Sequence, residues 1–308
     1  MSSVVLLLAA SANFSIAISS IAVALGVVLL IGKIFYIKTL PPINQNYIKI
    51  FGVYFLCQFL IAMLSTEPPV SFREFAGEFH RVLPFFLAIL FIKNRFQLRN
   101  VLVVILFCNL INDGFACYEK FFLQINYPSA FNNAPEIFSS FLLIQLPVQI
   151  FMITLPIIPI WCKRLSIIAC GLTIFSIIFL SPIPENILNP NFSQSALEIF
   201  LANPVHGVGQ KMLVDNPQNI YLNELAEGGL LGIFAFVILH GFFATEFFRL
   251  SRQDKSKKIP AGLIALIILI LMLIEGLIDT NMNQIAIMRE YWLTVGLMIA
   301  AYNLGDRI

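Results

Sequence analysis

An all-α, polytopic transmembrane bundle is the fold class this chain predicts, and three observations predict it. Hydrophobic residues make up 59% of the 308 residues and charged residues only 12%, about half the charged share of a water-soluble domain. Mean hydropathy is +0.87. The apolar residues also fall into runs close to the ~20 residues that cross a bilayer core, with most Lys and Arg gathered in the short polar stretches between them.

Residues 1–31 carry no charge. That run is long for one crossing and short for two, and the polar SANFS at 11–15 interrupts it, so a short helix followed by a span at 16–31 is expected. No basic segment precedes its apolar residues, which predicts a retained membrane segment rather than a cleaved signal peptide. Runs at 47–65, 101–118, 137–159, 165–181, 229–248, 261–276 and 285–302 read directly as spans. Residues 82–92 are a short run between Arg81 and Lys93; they cross if both cations snorkel towards the interfaces and flanking residues extend the helix. The expected count is nine or ten spans.

Charge tests that count independently. Sorting the loops to alternate sides puts 14 of the 19 Lys and Arg on one face, leaving Arg73, Arg81, Lys120, Lys211 and Arg289 on the other. One slipped span would scramble this separation. Cytoplasmic loops are the Lys- and Arg-rich ones, so the long loop at 182–227 is expected outside and the C-terminus inside. The chain divides into an N-terminal bundle at 1–181, a long outer loop at 182–228 and a three-span bundle at 229–308. Five cysteines without CxxC or His-paired spacing read as small packing residues. There is no P-loop, and a formal net charge of +2 divided by side gives no reason to expect a nucleic-acid partner.

Polar residues are informative where they gather on the outer side. Residues 65–81 open with a proline turn and continue as a helix with Phe72, Phe75 and Phe79 on one side, as an amphipathic helix on the membrane surface does. The competing reading has Arg73 or Arg81 holding a phosphate, which suits arginine. Residues 119–136 read as an interfacial loop. Residues 182–227 form the longest loop, and long loops tend to be functional. A helix is expected at 193–202, with Leu197, Ile199 and Phe200 towards the membrane. Gly207 and Gly209 then permit positive φ, so backbone N–H groups can turn towards an anion, with Lys211 adding charge; an ordinary tight turn has the same signature. Asn216 is placed to cap a helix starting at Pro217, whose first turns hold Gln218, Asn219, Tyr221, Asn223, Glu224 and Glu227. Elsewhere, Glu275 or Asp279 is expected to pair with Arg289 across an outer turn. Asp113 is placed to face a water-filled cavity, and His240 reads as a packed or interfacial histidine. No His, Cys or acidic pattern has metal-ligand spacing.

Two stretches, PVHGVGQKM at 204–212 and QNIYLNELAEGGLLG at 218–232, resemble the O-antigen ligase and O-antigen polymerase family of bacterial envelope proteins. The family's pattern is similar to Pro-x-x-Gly-x-Gly, then His-Asn-x-Tyr-Leu, then Ala-Glu-x-Gly entering a span. The resemblance implies a metal-independent glycosyltransferase of the inner membrane, without a cofactor. Such proteins move a glycan from undecaprenyl pyrophosphate to a lipid or glycan acceptor at the outer face. It also implies a general base on the acceptor hydroxyl and cationic groups on the pyrophosphate. The position matching the family's histidine is Gln218, whose carboxamide is no base, and the stretch before the glycine loop lacks the family's arginines. His206 and Glu224 are the candidates to replace the base. Arg73, Arg81, Gly207, Gly209, Lys211, Asn219 and Tyr221 are the candidates to hold substrate. Two other functions compete: a non-catalytic relative binding the lipid carrier or a partner, and a small-solute carrier. The latter calls for repeats and interrupted helices, neither of which is visible in the sequence.

Overall fold

A computed structural model describes residues 2–11, 14–37, 43–132, 134–180, 190–213, 219–253, 259–280 and 283–305, with side chains from 195 onward in the fifth segment. The described residues form eleven helices. These are α1 (Ser2–Ser11), α2 (Ile16–Ile37), α3 (Gln45–Leu64), α4 (Pro68–Phe91), α5 (Arg95–Phe121) and α6 (Pro135–Thr154), followed by α7 (Ile160–Phe179), α8 (Pro190–Ala202), α9 (Ile220–Gln253), α10 (Ala261–Glu275) and α11 (Ile285–Gly305). Seven of them, α2, α3, α5, α6, α7, α9 and α11, are long and apolar enough to cross a membrane. Large apolar side chains such as Ile21, Val28 and Ile178 are each about two-thirds exposed on the outside of the bundle, a surface that suits lipid. This is a multi-pass membrane protein.

Local signals explain the helix ends. The Asn44 and Asn94 side chains accept the N–H groups of Asn46 (3.0 Å) and Gln97 (2.9 Å) to start α3 and α5, satisfying amides that have no partner within the helix. Prolines sit in the first turn of α4 and α6, where a missing N–H is harmless. At ten residues, α1 is about 15 Å long, half a bilayer core, and it packs on α2, α4 and α5. That is the short helix before a span that the SANFS break predicts.

The outer amphipathic helix and the short span expected at 65–92 are one element. α4 runs unbroken for 24 residues, about 36 Å. Phe72, Phe75 and Phe79 do line one side of it and pack on α3, with Phe72 and Phe79 still partly exposed. Phe79 stacks on Phe55 at 3.9 Å, and Phe72 and Phe75 meet Phe59 at 5.7 and 5.8 Å. The charged side of α4 is thereby turned into the protein. Along its deeper half, α4 lies against α11, whose central residues are almost wholly buried. A Cβ on Gly296 would stand 2.7 Å from the Phe85 carbonyl oxygen, so glycine is what lets the two backbones approach. The C-terminal helices are interleaved with earlier ones: α9 packs on α3 and α10 on α6.

Contacts fix which helix ends share a face. At one end Tyr47 donates to Glu246 (3.0 Å), Arg249 also holds Glu246 (2.7 Å), and Tyr302 donates to Gln253 (3.0 Å). At the other, Arg289 joins the starts of α11 and α2 to the middle of α4 through the Ile16 carbonyl (3.1 Å), Ser19 (2.6 Å) and His80. Arg289 therefore turns away from the acids expected to pair with it. Glu275 instead accepts from Ser140, and Asp279 accepts the N–H of Thr280 at 2.6 Å.

Asp113 is fully buried between helices, not open to a water-filled cavity. Thr173 of α7 donates to its Oδ2 at 2.7 Å, and Gln149 of α6 bonds Thr173 at 3.1 Å. Removing a donor from a buried carboxyl costs about 1–3 kcal/mol. Thr173→Val is accordingly expected to lower the melting temperature of the detergent-solubilised protein, measured against wild type, and an unchanged melt would contradict this role. All five cysteines are free thiols, as packing residues are.

Candidate functional site

The region singled out by the sequence folds as a clamp at the Arg289 end of the bundle. After α8 the chain turns through 203–211 and is held on two sides. On one side, the Val208 carbonyl accepts from the Thr66 N–H (3.1 Å), the Ser65 hydroxyl (3.1 Å) and the Thr66 hydroxyl (3.0 Å). On the other, Val208 N–H donates to Ala226 (3.1 Å) and Gly209 N–H to Glu227 (2.9 Å). Gly207 (φ 64°) and Gly209 (φ 107°) are both left-handed. A Cβ on Gly209 would lie 1.9 Å from the Ser65 hydroxyl, and one on Gly207 would lie 2.4 Å from the Glu227 backbone. The glycines are there for close approach.

This corrects the anion cradle expected of Gly207 and Gly209. Their N–H groups, with that of Gly207 donated to Asn203 at 2.9 Å, are used in backbone hydrogen bonds. The loop does present N–H groups to an anion one step later, where those of Lys211 and Leu213 point at the carboxylate of Glu227. The protein's own acid fills that position.

The helix after the clamp is interrupted, which the sequence reading did not foresee. α9 breaks at Gly229 (φ 59°, ψ −151°), separating a first part at 220–228 from a second at 230–253. A Cβ there would lie 2.6–2.7 Å from Gly207 and His206. The N–H groups of Leu230 and Leu231 donate to the carbonyls of Pro204 (2.9 Å) and Val205 (3.0 Å). The loop thus caps a helix start that would otherwise carry unpaired amides at membrane depth.

Between this clamp, α3, α4 and α11 lies a cavity of about 130 Å³, room for roughly four waters at about 30 Å³ each. Glu74, Glu78 and Arg81 reach it from α4, Tyr54 and Gln58 from α3, and Asn223, Glu224 and Glu227 from the first part of α9. Gln210 and Lys211 border it from the loop, while His240 and Trp292 lie deeper along α9 and α11. Arg81 is 5% exposed. It pairs with Glu78 and, at 3.6 Å, with Glu74, which also meets Lys211 at 3.3 Å. Lys211, its side chain 59% exposed, marks the mouth. Tyr54 donates to Glu78 at 3.2 Å and Asn223 to Glu227 at 3.3 Å. Both cations are therefore engaged by Glu74 and Glu78, Glu227 is anchored by amides, and Glu224 faces the cavity without a hydrogen bond among the described residues.

Of the predicted site residues, Arg81, Lys211 and Glu224 converge on this cavity, although they lie far apart in sequence. Arg73 is exposed on α4 and does not line it. His206 is half-buried beside the Gly229 break, again away from the lining. Asn219 caps α9, accepting from the N–H groups of Tyr221 (2.9 Å) and Leu222 (3.2 Å), and donates to the Leu277 carbonyl at 3.1 Å. Tyr221 donates to Leu273 at 2.6 Å. Both hold α9 to the end of α10, and neither lines the cavity. Gln218, with Asn216 and Pro217, lies outside the described residues. Sequence reasoning gave no site role to Glu74, Glu78, Gln58 and His240. The usable signal for the last two is a lone polar residue inside an apolar run, costly at that depth unless it has a task.

No family model matches the chain, and no curated protein does either.

Proposed function

We propose that the protein is an O-antigen ligase-like or polymerase-like glycosyltransferase, moving a glycan from undecaprenyl pyrophosphate to a lipid or glycan acceptor at the outer face of the bacterial inner membrane. The observation that carries this reading is the convergence of Arg81, Lys211 and Glu224 on one cavity beside the interlocked glycine loop. The residues that resemble the family are those that build the clamp, the helix break and the cavity wall. The excess of Lys and Arg at the opposite face supports an outward cavity and a cytoplasmic C-terminus.

Chemically, glycosyl transfer needs a base for the acceptor hydroxyl. Glu224 fits that role as the carboxylate left free to meet a ligand, while Glu227 secures the loop. As the acceptor oxygen attacks the anomeric carbon, its proton passes to Glu224. The bond from that carbon to the pyrophosphate oxygen breaks, and undecaprenyl pyrophosphate leaves with the electron pair. Lys211 at the mouth is the accessible cation for that leaving group, with Arg81 beneath it. The test is reconstitution of the purified protein with an undecaprenyl-pyrophosphate-linked glycan and an acceptor. Transfer to the acceptor is expected, and its absence with both substrates supplied would remove the reading.

One observation favours a second reading. The interruption of α9 at Gly229 is the kind of break that small-solute carriers place at their binding sites. Solute uptake into proteoliposomes without glycan transfer would select it. Binding of the lipid carrier without turnover would instead mark a non-catalytic family member.

A further inference from the structure

The cavity's charge and hydrogen-bonding pattern say what kind of sugar it suits. Four carboxylates line it, from Glu74, Glu78, Glu224 and Glu227, against two cations, Arg81 and Lys211. Both cations are already in ion pairs with Glu74 or Glu78, so among the described residues no ion pair reaches Glu224 or Glu227, and the acids outnumber the cations. Buried polar atoms on the same lining also lack partners. Asn223, 1% exposed, gives its amide N–H to Glu227 and keeps its Oδ1 free. His240, 6% exposed, directs Nδ1 at the Phe236 carbonyl at 2.9 Å. A carbonyl only accepts, so Nδ1 carries the proton, and Nε2 of the neutral ring is an acceptor without a donor. The buried donors on this lining without a partner among the described residues are Arg81 Nε and Trp292 Nε1.

A phosphate, which only accepts and is anionic, would face this excess of acceptors and negative charge unfavourably. A neutral sugar satisfies the hydrogen bonds but leaves the charge unbalanced. An ammonium beside hydroxyl groups answers both: the amine gives three donors and a positive charge, and the hydroxyls serve the remaining acceptors and the two donors. At about 130 Å³ the cavity is smaller than the roughly 300–1,000 Å³ pockets that enclose a whole drug-sized ligand, so it holds one end of a chain. We infer that the cavity seats the protonated amine of an amino sugar, between Glu224 and Glu227, with neighbouring hydroxyls against Asn223 and His240. This rests on the reading of the cavity as a glycan site, and it places the pyrophosphate outside, towards Lys211.

The experiment is competition binding on the full-length protein in lipid nanodiscs, with glucosamine, N-acetylglucosamine, glucose, phosphoethanolamine and inorganic pyrophosphate as probes. Glucosamine is expected to bind at least about tenfold more tightly than glucose or N-acetylglucosamine, a difference of 1.4 kcal/mol. Glu224→Gln and Glu227→Gln should each reduce that preference, and pyrophosphate should not displace the sugar. Comparing probes on the unaltered protein keeps the test valid if a variant misfolds. Equal binding of the three sugars, saturable binding of none, or displacement by pyrophosphate overturns the inference. Tighter binding of phosphoethanolamine would overturn the sugar assignment and give the carboxylates to a lipid headgroup. Failure here is separable from failure of the transferase reading. Transfer of neutral sugars alone leaves the enzyme standing without the amine site, and amine-selective binding without transfer does the reverse.

Discussion

Glu224→Gln is expected to reduce glycan transfer by about 100-fold or more, the usual contribution of a general base, while leaving the protein folded. The change keeps the shape of the side chain and removes its charge together with its ability to take a proton. The Glu224 side chain makes no hydrogen bond among the described residues, so its loss should not loosen the clamp. Glu227→Gln should behave differently. Glu227 receives Asn223 and the N–H groups of Lys211 and Leu213, so that variant should lose both activity and melting temperature. Initial rates of transfer, paired with thermal melts of each variant, separate the two roles. Wild-type rates in Glu224→Gln would show that the free carboxylate is not the base.

The second large effect is expected at Gly209. Gly209→Ala forces a residue with a side chain into φ 107° and brings its Cβ to 1.9 Å from the Ser65 hydroxyl. Backbone strain of this kind costs about 1–3 kcal/mol, and the collision must also move the loop or the α3–α4 turn. Gln210 and Lys211 follow directly, so the mouth of the cavity moves with the loop. Loss of transfer together with faster proteolysis within 203–213 is the expected result. A variant that melts and reacts like wild type would show that the loop is not held as described.

Seven of the nine expected spans fall on helices long and apolar enough to cross a membrane, not those at 82–92 and 261–276; they were readable because run length depends only on composition along the chain. The short helix expected at 193–202, observed as Pro190–Ala202, was readable for the same reason. The site was only partly so. Gly207 and Gly209 signal positive φ, and that signature does not distinguish an anion cradle from two backbones pressed together; only the partners Ser65 and Glu227 decide. Glu74, Glu78 and Arg81 look like the wet side of a surface helix until they are seen paired with one another beneath the loop. The break at Gly229 likewise depends on carbonyls of Pro204 and Val205 arriving from another segment. In each case the missing information was a tertiary neighbour.

The placement of the acidic cavity on the non-cytosolic surface is tested most directly by labelling. A Lys211→Cys variant, in a background with the native cysteines replaced, is treated with a membrane-impermeant maleimide on intact spheroplasts and again after permeabilisation. Lys211 is the exposed residue at the mouth. Full labelling of intact spheroplasts is the predicted result, and labelling that appears only after permeabilisation would contradict the account.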